Sequence, residues 1–306
     1  MTDDARKDAS VSLIARAENP PADLSGLRTL ATSIALIVLL VLLWEGLKAF
    51  AQSNAYALTV GGTTIDLTLL NNTQLPHLTD ILRSFAEPAQ RNGPPLYQSL
   101  IDAGLATLWS AVRGFVIGGV FGFALAIVFA HSSLMTRGLL PYVVASQTVP
   151  ILAIAPMIVI WMSRAGAIDW AVPVIAAYLT FFPVTIYTLR GLTSVPTTAL
   201  ELMESYAASR REILFKLRLP NALPQIFTAL KISATASVVG AIIGELPSGI
   251  QNGMGIAILN FSRYYNQSPP RLWATIFAAG LIGMLFFVVV ALVERLVIRW
   301  KVEASE

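Results

Sequence analysis

Residues 170–189 read WAVPVIAAYLTFFPVTIYTL, and residues 190–220 continue RGLTSVPTTALELMESYAASRREILFKLRLP. The first stretch carries no charge and has the ~20-residue length that crosses a hydrocarbon core as a helix. The second is polar and holds two helix-start signals. Thr198-x-x-Glu201 and Ser209-x-x-Glu212 both have capping-box spacing, in which a hydroxyl and a carboxylate satisfy the orphan N–H groups of a first turn. They predict one helix over 199–207 and a second from Arg210, limited by Pro220. Glu212 and Lys216 add an i,i+4 pair in the favourable order. Leu200, Met203, Ile213, Leu214 and Leu217 need cover from water. A folded, half-apolar loop between two spans reads as a docking element; the alternative is a loop packed only on its own bundle.

The rest of the 306-residue chain agrees with a membrane setting. Hydrophobic residues make up 55% and charged residues 13%, about half the roughly 25% of a soluble domain. Mean hydropathy is +0.67. Such a chain lacks the polar shell of a soluble enzyme, and its apolar content excludes disorder. It has no cysteine and two histidines, His77 and His131, which excludes thiolate chemistry and a histidine-based metal site. Apolar stretches at 29–50, 114–136, 138–163, 170–189, 225–246 and 272–293 give six spans.

Lys/Arg placement sets direction, because cytoplasmic segments are enriched in them. With the N-terminus inside, thirteen basic residues are cytoplasmic: Arg6, Lys7, Arg16, Arg28, Arg137, Arg190, Arg210, Arg211, Lys216, Arg218, Arg295, Arg299 and Lys301. Six are outside: Lys48, Arg83, Arg91, Arg164, Arg263 and Arg271. Arg113 and Lys231 lie within or beside spans. The asymmetry predicts both termini inside and accounts for the pI near 9.3 without nucleic acid. The expected organisation is a cytoplasmic tail over 1–27, a first transmembrane helix over 28–50, a periplasmic segment over 51–95 and a five-span core over 96–300, with the loop at 191–220. A cleavable signal peptide is the alternative for the first span, but the preceding segment is long and carries five acids; its apolar run also exceeds a usual h-region. Leu78, Ile81, Leu82 and Phe85 predict a short external helix.

Several span residues have more than one reading. Gly114, Gly118 and Gly122 share one helix face and suit close helix packing; a transport hinge is the other reading. The prolines of the third and fourth spans, with Gln147, Thr148, Pro150, Tyr178 and Thr180, have the composition of a pathway wall. Glu245 near the outer end of the fifth span is a costly carboxylate, a pathway group or a structural cap or partner for Arg263 or Arg271. Trp273 and Trp300 flank the last span as an aromatic belt.

The loop resembles the EAA loop of permease subunits of bacterial ATP-binding-cassette importers. Leu217-Arg218-Leu219-Pro220 matches the end of that pattern, and counting back puts Glu201-Leu202-Met203 at Glu-Ala-Ala and Ala207 at its glycine. Leu202, Met203 and Ala207 depart from the pattern, and alanine pays a steric cost in the left-handed turn that glycine allows. The stretches LIDAGLATLWSAVRGFVIGGVFGFALAIV, QTVPILAIAPMIVIWM and GELPSGIQNGMGIAIL are similar to the nitrate/sulfonate/taurine-type permeases, a family that also includes transporters of thiamine-precursor pyrimidines. The resemblance implies an all-α type I importer permease with six transmembrane helices, working as a homodimer in the bacterial inner membrane among lipid. It implies a cytoplasmic ATPase dimer seated on Glu201, Glu204, Ala207, Ala208, Ser209, Leu217 and Pro220, and a periplasmic binding protein that delivers the solute. No G-x-x-x-x-G-K-[ST] occurs in the chain, so ATP and Mg are expected on the partner subunit. Two other classes are weighed against this. One is a membrane enzyme or a non-transport assembly scaffold; an enzyme would show clustered His, Asp or Glu in its spans. A secondary transporter would show paired intramembrane carboxylates or an internal repeat. Neither pattern is seen in the sequence.

Overall fold

A computed structural model describes residues 25–60, 63–90 and 93–298. Most of the 1–27 tail, Trp300 and the C-terminal Arg299 and Lys301 lie outside the described residues. Two compact units divide between Leu78 and Thr79.

The first unit begins with α1 (Ser25–Ser53), whose apolar side chains from Leu30 to Leu43 are exposed all round, as suits a helix solvated by lipid. Positive φ at Ala55 (51°) and Tyr56 (60°) turns the chain into an antiparallel hairpin, β1 (Ala57–Val60) and β2 (Thr63–Asp66), in the register Ala57↔Asp66 and Leu58↔Ile65. The all-helical expectation had no hairpin here; two four-residue strands are too short for alternation to register. The chain after the hairpin returns to α1. Trp44 Nε1 donates to Pro76 O at 3.1 Å, and Lys48 Nζ donates to Asn72 Oδ1 at 2.8 Å and to Leu75 O. His77 Nδ1 lies 2.7 Å from Glu45 Oε2, and Leu78 N donates to Glu45 Oε1 at 2.9 Å.

The second unit begins within the short helix α2 (Leu78–Ser84), which buries Ile81 and exposes Leu82. Its helices are α3 (Leu96–His131), α4 (Ser133–Ser146), α5 (Ile151–Arg164), α6 (Ala171–Thr193), α7 (Thr197–Ser205), α8 (Arg210–Ser248), α9 (Met254–Arg263) and α10 (Pro269–Val297). Five helices of the described chain are long and apolar enough to cross a membrane, or six if the bent pair α4–α5 counts as one. That pair occupies the run expected as one span at 138–163. It bends by 97° because Pro150 opens α5 and holds Val149 away from helical backbone.

α6 is the centre of the unit, packed between α3 and α8. Gly114, Gly118 and Gly122 bring α3 against it so closely that a Cβ on Gly118 would lie 2.4 Å from Ala177 O. On the other side, a Cβ on Gly240 of α8 would lie 2.8 Å from Ala176 Cα. Around this three-helix contact Ala111, Ala176, Phe227, Val238 and Phe286 form the core, with Phe115 and Phe286 edge-to-face at 5.1 Å. α10 is tied to α8 by Lys231 Nζ and Glu294 Oε2 at 2.6 Å.

Candidate functional site

Residues 194–218 close one end of the second unit. α7 starts at Thr197 with Pro196 as its N-cap and no side-chain cap. The expected Thr198–Glu201 box therefore does not form: Pro196 starts the helix early, and Thr198 falls inside the first turn. The second box does form. Glu212 N donates to Ser209 Oγ at 3.3 Å, and Ser209 N donates to Glu212 Oε2 at 2.9 Å. Lys216 Nζ reaches Glu212 Oε1 at 2.9 Å. Between the two helices Ala207 takes φ 52°, so the left-handed turn exists with alanine in it.

Pro220 does not end the second helix. Residues Ile213–Arg218 form a wider π-helical segment, and α-geometry resumes at Leu219. Pro220 thus sits in a restarted first turn, where its missing N–H is not required. Leu214 anchors the segment against Leu192, Ala222 and Ile226. Arg218 Nη1 donates to Ala130 O at 3.1 Å, and Asn221 Nδ2 to Ser194 Oγ at 3.1 Å. The loop is thereby fixed to its own bundle on one side.

Its other side is open. Glu201, Glu204, Ala207, Ser209 and Pro220 are exposed, while Ala208 and Leu217 are half-buried. Leu202, Tyr206 and Phe215 are 58, 79 and 63% exposed, large apolar side chains beside two acids. Sequence reasoning named other apolar members of the loop. The i,i+4 spacing of Leu202 and Tyr206 was the available signal.

The pathway candidates scatter. Gln147, Thr148 and Pro150 lie at the α4–α5 break and are exposed. Tyr178 joins them, its hydroxyl donating to Ser146 O. Thr180 is fully buried in the α3–α6–α8 contact, where it faces Gly118 and its carbonyl accepts from Ser233 Oγ at 3.2 Å; it packs a seam and does not line open space here. Glu245 is 2% exposed, and no described ion pair joins it to Arg263 or Arg271. Instead it holds the start of α9. Thr107 Oγ1 donates to Glu245 Oε1 at 2.7 Å, Gly255 N donates to Oε2 at 2.7 Å, and Met254 N donates to Thr107 Oγ1 at 2.8 Å. Gly253, at φ 149°, leaves no room for a Cβ beside that carboxylate.

The Glu245 cluster borders a cleft of about 300 Å³ at the end of the unit opposite the loop, lined also by Trp109, Ser110, Arg113, Asp169 and Asn252. The Arg113 guanidinium lies 5.6 Å from the centroid of Trp109 and 5.4 Å from that of Trp170. Sequence reasoning left Arg113 unassigned.

The sequence profile of the binding-protein-dependent transport system inner membrane component family matches residues 118–299, more than half of the chain. The chain belongs to that family. The permease is 31% identical over 196 residues to the formylaminopyrimidine transport permease protein ThiX of Halalkalibacterium halodurans, covering 64% of this chain and 76% of that one. It is 31% identical over 197 residues to the riboflavin transport system permease protein RibX of Chloroflexus aurantiacus, covering 64% and 71%. It is 28% identical over 212 residues to the nitrate import permease protein NrtB of Leptolyngbya laminosa, covering 67% and 73%. A crystal structure of an amino acid ABC transporter aligns with TM-score 0.53 at 18% identity, over 65% of this chain and 94% of that one. That likeness gives the fold, a type I importer permease. The permease is thus a multi-pass inner-membrane subunit of an ABC importer.

Proposed function

We propose that the permease carries a small solute, delivered by a periplasmic binding protein, through a dimer of two copies of itself driven by a cytoplasmic ATPase dimer. The solute is nitrate- or sulfonate-like, or a pyrimidine- or vitamin-type heteroaromatic, the classes named for its relatives. In this reading both termini are cytoplasmic, ATP and Mg are held by the ATPase, and this chain binds no cofactor. The pathway runs past Gln147, Thr148, Pro150, Tyr178 and Glu245, with Thr180 reached only by movement of the α3–α6 contact.

The observation that carries the reading is the loop surface. Leu202, Tyr206 and Phe215 stand exposed on a capped, anchored element. Exposed apolar groups of this size on a folded loop are an interface awaiting a partner. Glu201 and Glu204 flank them and suit basic residues on that partner. Glu201 closes no cap in the structure, so Glu201→Gln removes charge without removing a helix start. The test is solute-stimulated ATP hydrolysis by the reconstituted complex, with assembly followed by gel filtration. Tyr206→Ala and Phe215→Ala should release the ATPase, Glu201→Gln should weaken coupling, and Glu201→Lys should weaken it more. A complex that assembles and hydrolyses ATP normally with all four changes would sink the coupling role of this loop.

A further inference from the structure

The cleft bordered by Glu245 holds an under-bonded guanidinium, Arg113, and an exposed carboxylate, Asp169. Arg113 lies midway along α3, at the edge of the apolar stretch 114–136, and is half-buried. Trp109 and Trp170 stabilise its charge through their ring faces but accept no hydrogen bond at its edge. Among the described residues its one hydrogen bond is a long one, Nη2 to Ser110 Oγ at 3.5 Å, and its buried Nε has no partner. A buried donor without an acceptor is costly, so the guanidinium edge is prepared for one that arrives from outside the chain. Asp169 lines the same cleft, and among the described residues it makes neither a hydrogen bond nor an ion pair. Glu245 is 2% exposed and already accepts from Thr107 and Gly255, so little of its carboxylate faces the open cleft.

From this arrangement we propose that the Arg113–Asp169 cleft is a solute site selective for a neutral dipolar or zwitterionic molecule, one edge presenting an acceptor to Arg113 and another presenting a donor to Asp169. One free positive and one free negative group share the cleft, so a net-neutral dipole satisfies both. An inorganic monoanion would meet Arg113 while leaving Asp169 unmatched and repelling it. The volume of about 300 Å³ is at the lower end of small-molecule sites and suits a single ring with polar edges. Arg113 and Asp169 then act as specificity residues at the cleft end of the permease, ahead of any step at the loop. The inference rests on the importer reading and narrows its solute to the neutral heteroaromatic side.

The test uses the full-length permease in lipid nanodiscs, without ATPase or ATP. The chain has no cysteine, so a single Ala106→Cys in the cleft wall reports occupancy through its rate of labelling by a neutral maleimide. The probes are cytosine, a neutral ring with donor and acceptor edges, and nitrate and methanesulfonate at matched ionic strength. Cytosine should slow labelling, and the two anions should not. Arg113→Gln and Asp169→Asn should each raise the cytosine concentration needed by about ten-fold or more, the loss expected for one charged hydrogen bond. Asp169 is exposed, so its variant keeps the proposal testable if Arg113→Gln disturbs folding. Protection by the anions equal to that by cytosine, no protection by cytosine, or protection indifferent to both substitutions would each overturn the site. ATP-dependent uptake is not read in this assay, so failure here is separable from failure of the importer reading.

Discussion

Adding one methyl group at Gly118 tests the central contact of the permease. In Gly118→Ala the new Cβ would stand 2.4 Å from Ala177 O, 2.7 Å from Thr180 Cβ and 3.0 Å from Ala177 Cα. Two of these three neighbours are backbone atoms of α6, so no rotamer change relieves them. The helices must part by about 1 Å to restore ordinary contact, and a gap of that size forfeits a quarter to a half of the dispersion energy of the facing atoms. The same opening loosens Gly114 and Gly122, which sit on the same seam. Overpacking of this kind costs about 1–3 kcal/mol. Gly119→Ala is the control: its Cβ would meet nothing within 4 Å, and alanine in place of glycine favours a helix by up to about 1 kcal/mol. The assay is thermal denaturation of both variants in the same detergent, read by loss of the monodisperse gel-filtration peak. Gly118→Ala should melt below wild type and Gly119→Ala at or above it. Equal melting of the two variants would refute the close-contact account of α3 and α6.

Three further outcomes are expected. Ala207→Gly removes the left-handed strain at φ 52° and should stabilise the turn by about 0.5–1 kcal/mol after glycine's own entropy cost, seen as slower hydrogen exchange across 205–210. Gly253→Ala sets a Cβ 2.4 Å from Glu245 Cδ at φ 149° and should destabilise by about 2–4 kcal/mol through clash and strain, seen as a lower melting temperature. The Lys231→Ala/Glu294→Ala double variant should be destabilised by less than the sum of the two single variants, with a coupling of about 0.5–3 kcal/mol in a double-mutant cycle.

What was legible in the sequence was what depends on neighbours along the chain. Span-length apolar runs and the Ser209–Glu212 box need only local spacing, and they could be read directly. The Thr198–Glu201 box has the same spacing and failed, because Pro196 took the cap position two residues earlier. Composition placed residues 138–163 in the membrane but was blind to the 97° bend, which Pro150 imposes through backbone sterics. The hairpin at Ala57–Asp66 is too short to show a period. The cleft was illegible for another reason. Arg113, Asp169 and Glu245 belong to three separate segments, and only packing around α6 brings them to one wall. The carboxylate at 245 was visible as unusual, but its partners Thr107 and Gly255 were not, since a backbone N–H leaves no mark in a sequence.

The unbroken run of α8 has a mechanical consequence. From Arg210, in the loop, to Ser248, beside the Glu245 cluster, the chain runs as one continuous helical element of 39 residues, about 58 Å long at helical rise. A push or twist applied to Phe215 is carried along this helix to the carboxylate that seats α9. One place where the rod can change its winding is the π-helical turn at Ile213–Arg218. Conversion of that wide turn to α-geometry shifts the register by one residue and rotates the loop side of the rod by about 100° relative to the rest. A gearbox is thus built into the drive end, and the output end near Gly253 is clamped.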